Sequence, residues 1–81
     1  MLKVKDVNRL KVFGYVETDD YYTKSLKDNS EITIYKEFVD TFDEKISGEI
    51  FVSVPDDIVE SELVAEELFD LFAANLVERV N

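Results

Sequence analysis

The stretch Pro55–Val80, PDDIVESELVAEELFDLFAANLVERV, constrains this fold most, because its length and regularity predict one extended amphipathic helix. Projected at roughly 100° per residue, Ala65, Leu68, Phe69, Phe72, Ala73, Leu76 and Val80 gather on one face. Glu60, Glu66, Glu67, Asp70 and Glu78 fall on the other side. Asp57 followed by Glu60 reads as a capping box, with Ser61 as a second possible start. Leu63, Val64, Leu71 and Val77 lie outside the main stripe. The apolar arc is therefore wider than burial against one small sheet requires, so a second helix or a partner must cover part of it.

Ahead of that helix, Glu49–Val54 is a compact apolar run between Gly48 and Pro55. Being apolar on both faces, it predicts a central strand. Residues 31–46 give conflicting signals. The Ile, Thr, Tyr, Phe and Val content favours a strand. Ile34, Phe38, Phe42 and Ile46 nevertheless recur every fourth residue, with Tyr35 and Val39 beside them, and Ser30 and Gly48 can cap the ends. The periodicity predicts a helix.

Nearer the start, Leu10, Val12 and Val16 alternate with Lys11, Phe13, Tyr15 and Glu17, which predicts a strand over residues 10–18. A short helix over residues 6–13, ended by Gly14, is the competing pattern. Asp19-Asp20 reads as a turn that folds Tyr21–Leu26 back, with Glu17 opposite Tyr22 and Phe13 opposite Leu26. Lys27-Asp28-Asn29-Ser30 is a polar break. The expected architecture is one α+β domain over residues 1–81: a small N-terminal strand or hairpin, an amphipathic helix, a central strand and a long C-terminal amphipathic helix. The alternative is a three-stranded antiparallel sheet packed on the C-terminal helix.

Chemistry is poorly supplied. The chain contains no Cys and no His, which removes disulfides, thiolate and imidazole metal ligands, and the usual general base. No serine sits in a nucleophile-elbow context, and phosphate or dinucleotide loops need more than the two glycines present. Asp20 and Glu31 have the spacing of the outer ligands of a calcium loop. Tyr22, Lys24 and Ser25 occupy the positions between them where other ligands and a glycine are required. Acid pairs suitable for acid–base work are inevitable among nineteen carboxylates, so their presence does not indicate an enzyme. No enzymatic activity, cofactor or metal is expected. No apolar run is long enough to span a bilayer, and a cytoplasmic location is expected, with no membrane partner.

Charge is the abnormal quantity. Nineteen acids against nine bases leave a net charge of −10, and the distribution is uneven. Residues 1–11 carry a net +3, whereas residues 37–70 carry twelve acids against Lys45 alone, a net −11. Such a field repels nucleic acid and attracts cationic surfaces. Asp56, Asp57, Glu60, Glu62, Glu66, Glu67 and Asp70 place seven acids in fifteen residues with no base among them. As a continuous helix, that is one charge per roughly 3 Å, close to the density of one phosphate strand. A charge run is most often a solvated helix face, and acids suit the N-terminal half of a helix.

In size and composition the chain is similar to small acidic inhibitors that imitate nucleic acid, such as the anti-restriction, anti-CRISPR and glycosylase-inhibitor proteins of phages. No motif carries the similarity. It implies a protein-binding module whose acidic face occupies the basic, nucleic-acid-binding groove of a target, in the host cytoplasm if phage-encoded. A small assembly protein is the alternative, with Leu63, Val64, Leu71 and Val77 as the apolar patch of a homodimer seam or docking face.

Overall fold

Alternation and turn chemistry, more than helical periodicity, decide the architecture. The computed structural model describes residues 2–36, 38–39 and 45–79, and for 38–39 and 45–46 it describes the backbone alone. In chain order the elements are β1 (Leu2–Val4), a 3-10 helix (Val7–Phe13), β2 (Val16–Glu17), β3 (Tyr21–Ser25) and β4 (Glu31–Tyr35). There follow β5 (Phe38–Val39), β6 (Lys45–Ile46), β7 (Ile50–Ser53), α1 (Glu62–Ala73) and β8 (Val77–Arg79). The class is α+β. An antiparallel sheet of order β2-β3-β4-β7 shares its core with α1, while β1 pairs with β8 and β5 with β6. This is the sheet-on-helix arrangement, with four strands in place of three.

The helix expected over 31–46 does not form where the chain is described, and residues 37 and 40–44 lie outside the described residues. Along β4, Ile32 and Ile34 are fully buried and alternate with Glu31, Thr33 and Tyr35. On a helix, residues two apart point roughly 200° away from each other, so only a strand buries both isoleucines on one face. The strand ends at Tyr35, and the ammonium of the next residue, Lys36, binds Glu17.

The strand expected over 10–18 begins inside the 3-10 helix, which takes residues 10–13. Val7, Leu10 and Phe13, three residues apart, share one face at three residues per turn, with Leu10 fully buried and its two neighbours packed on the core. Asp6 caps its start by accepting from Asn8 N, and Gly14, at φ 88°, ends it in the left-handed region. Only Val16–Glu17 extends. The turn at Asp19-Asp20 forms as expected, with Thr18 N donating to Tyr21 O at 2.7 Å. Glu17 stands opposite Tyr22, whereas Phe13, in the 3-10 helix, has no strand partner.

Lys27-Asp28-Asn29 forms the next turn, closed by Leu26 N donating to Ser30 O at 2.8 Å, with Asn29 at φ 67°. Ser30 is thus buried in a hairpin and caps no helix. β7 is a strand, but it is the last of its sheet and not central. Among the described residues only its entry is covered, by a bridge between Glu49 and Lys3, and Phe51 and Val52 are exposed.

The C-terminal helix is shorter than its sequence pattern predicts. Asn75 adopts φ 58°, Leu76 N donates to Leu71 O, and Asn75 N donates to Phe72 O. These are the two bonds of a Schellman stop, and its usual apolar contact has its counterpart in fully buried Leu71 and Leu76. Beyond the stop, β8 returns antiparallel to β1, so that Leu2 faces Arg79.

Candidate functional site

The start of α1 lies at Ser61, not at the Asp57–Glu60 box. Ser61 Oγ accepts from Val64 N at 3.1 Å and donates to Asp28 Oδ2 at 2.6 Å. The Asp28 carboxylate also accepts from Ser30 N, so the β3–β4 turn holds the helix entry. The Ser61 bond, followed by the Ser30 backbone, holds the Asp28 carboxyl below its ordinary pKa. Asp56, Asp57 and Glu60 therefore sit on the exposed loop leading into the helix, around a turn closed by Ile58 N and Pro55 O.

The Schellman stop also changes which face is buried. With Leu76 outside the helix, the stripe inferred from a longer helix is cut short at its C-terminal end, and Val80 lies outside the described residues. Val64, Glu67 and Leu71 are the buried residues of α1, and Leu68 packs partly against the core. Val64, Leu71 and Val77 are thus interior and do not form a partner patch. Leu63 is half-buried at the rim of a groove. The apolar residues of α1 left outside are Ala65, Phe69, Phe72 and Ala73, with the two phenylalanines 70% and 44% exposed.

Glu67 belongs to the interior as well. Only 6% exposed, it receives two hydrogen bonds of 2.8 Å from Lys24 Nζ, which also donates to Phe13 O at 2.7 Å. The ammonium lies 5.6 Å from the centre of the Tyr15 ring. Burial, and then the Glu67 charge, push the Tyr15 phenol above its ordinary pKa. Lys24 shares the inner sheet face with Ile32, its opposite neighbour on β4. The pair therefore fixes α1 against β3 in place of an apolar contact.

Six of the seven acids remain at the surface: Asp56, Asp57 and Glu60 on the loop, and Glu62, Glu66 and Asp70 on α1. Among the described residues, none of the six makes an ion pair. Three cations nearer the start are already engaged: Lys11 and Lys36 both bind Glu17, at 2.9 and 2.7 Å, and Lys5 donates to Asn75 Oδ1. On α1 the exposed acids recur every four residues, about 6 Å of axis apart. That is sparser than the continuous strip that a longer helix would carry.

Two shallow grooves flank this row. One, of about 400 Å³, runs between Lys24–Lys27 and the helix at Leu63, Glu66, Glu67 and Asp70. The other, of about 370 Å³, is lined by Ala65, Glu66, Phe69 and Asp70. Glu66 and Asp70 border both. The face unites what the sequence pattern assigned to opposite sides, acids and exposed aromatics.

Among the described residues no helix is long and apolar enough to cross a membrane, and no three carboxylates converge as a metal site. Compared with family models, with curated proteins and with solved structures, the chain gives no match.

Proposed function

We propose that this protein is a non-enzymatic binding module that offers its acidic face to a basic, nucleic-acid-binding surface of another protein. The observation that carries the reading is the row Glu62, Glu66 and Asp70 with Asp56, Asp57 and Glu60 before it, exposed and unpaired among the described residues. The helix dipole accounts for Glu62 in the first turn, but not for the rest of the row on α1. Glu62–Glu66 and Glu66–Asp70 are like-charge pairs that each cost about 0.2–0.5 kcal/mol. Asp70 lies in the last turn, where the helix dipole disfavours an anion.

The test is a pull-down at low and high salt, repeated in the presence of competing duplex DNA and with the variant E62K/E66K/D70K. Glu67 is left unchanged because it binds Lys24. Capture that is lost at high salt, displaced by DNA and abolished by the variant supports the proposal. Capture of the same protein by the variant would overturn it. The variant is expected to keep the fold: it exchanges the acid pairs for lysine pairs at the same spacing, but it lowers the overall excess of negative charge on the molecule.

A further inference from the structure

The grooves beside α1 are not purely electrostatic, and this narrows the partner. Phe69 is the most exposed aromatic side chain among the described residues and lines the second groove together with Glu66 and Asp70. With Ala65 and Phe72 it makes an i, i+4, i+7 apolar stripe, and Glu62, Glu66 and Asp70 run alongside at the same pitch. A surface that only imitated phosphates would have no use for two phenylalanines held in water. Such aromatics are typical anchors of protein interfaces, where they fill a partner's pocket inside a polar rim.

We infer that this face binds a cationic amphipathic segment of another protein: an apolar stripe that covers Phe69 and Phe72, flanked by Lys or Arg that meets Glu62, Glu66 and Asp70. The inference rests on the acidic-face reading and adds the apolar anchor to it. Charge complementarity selects this occupant over a second copy of the chain. Self-association through this face would bring two rows of unpaired carboxylates together on molecules of net charge −10. A membrane surface is a poorer fit, since helices that lie at lipid interfaces carry Lys and Arg on the polar face and α1 carries none.

The test uses the full chain, labelled for NMR, titrated with three synthetic probes of equal charge. These are a helix-forming leucine–lysine peptide with one apolar stripe, a scrambled version of it, and oligolysine. The striped peptide is expected to bind on the order of tenfold more tightly than the other two and to shift the amides of residues 62–73. F69A should remove that advantage while leaving oligolysine affinity unchanged, and it should fold normally because Phe69 is largely in water. Equal affinity for all three peptides, or an unchanged advantage in F69A, overturns the inference and leaves the acidic-face reading standing. No binding by any peptide overturns both. Self-association of the protein alone that F69A abolishes also overturns the inference, in favour of a second copy as occupant.

Discussion

Glu67 and Glu17 show how little a carboxylate's place in the sequence says about its work. Glu67 sits in the acidic run, yet it is buried against Lys24. Removing one partner of such a pair strands the other charge. E67A is therefore expected to lose about 3 kcal/mol in urea unfolding, whereas K24M/E67L should restore most of that loss by burying apolar groups instead. An equal loss in the double variant would mean that the pair itself stabilises the fold. Glu17, on the surface, is held down to about 2 by the hydrogen bond from Lys36, then by that from Lys11. A folded value below the ordinary 4.5 means the interaction contributes fully above that pH and fades as pH falls towards 2. An NMR titration should place the Glu17 midpoint near 2 and find it raised in K36A. Neither role was legible in the sequence, because each depends on which cation the sheet register brings within reach. The Glu17–Tyr22 register was legible, since a two-residue turn at Asp19-Asp20 determines it.

At the scale of elements, the misjudged end of α1 came from a stop signal weaker than glycine or proline. Asn75 adopts the left-handed conformation usually left to glycine, and nothing in LFAANLVERV marks the break as strongly as the helical pattern hides it. Ending α1 there shifted the buried arc to Val64 and Leu71 and exposed Phe69. Two substitutions on one helix test this orientation directly. L71A is expected to cost about 3 kcal/mol by opening a cavity, while F69A should change stability by less than about 0.5 kcal/mol. The opposite ranking in chemical denaturation would restore the stripe inferred from a longer helix. In β4 the information was present but outvoted: Ile32 had no place on the helical face, and its full burial is what the alternation EITIY encodes. The 3-10 helix was legible as the Asp6 to Gly14 alternative, and its threefold spacing was the cue that a strand reading overlooked.

For the molecule as a whole, the excess of negative charge is a cost spread over the surface. Among the described residues the ion pairs engage Lys11, Lys24 and Lys36 with just two acids, Glu17 and Glu67, and leave the α1 row unscreened. Mutual repulsion is damped by salt, with a screening length of about 10 Å at 0.1 M. The melting temperature is therefore expected to rise with added sodium chloride and to rise less in E62K/E66K/D70K. A melting temperature that falls with salt in the parent would show that local pairs outweigh the net field. The net charge itself was plain from the sequence. Which acids face water was not, because that follows from the orientation of α1.

The pairing of β1 with β8 has a consequence for the order of folding. Leu2 and Arg79 can meet only after the intervening chain has closed into one long loop, whereas the β2–β3–β4 hairpins join neighbours a few residues apart. Closing the longer loop carries the larger entropy penalty, so the ribbon is expected to zip last and to open first. Amide exchange should then show Val77–Arg79 losing protection ahead of Ile32–Ile34. Equal protection in the two segments would mean that the chain unfolds in a single step.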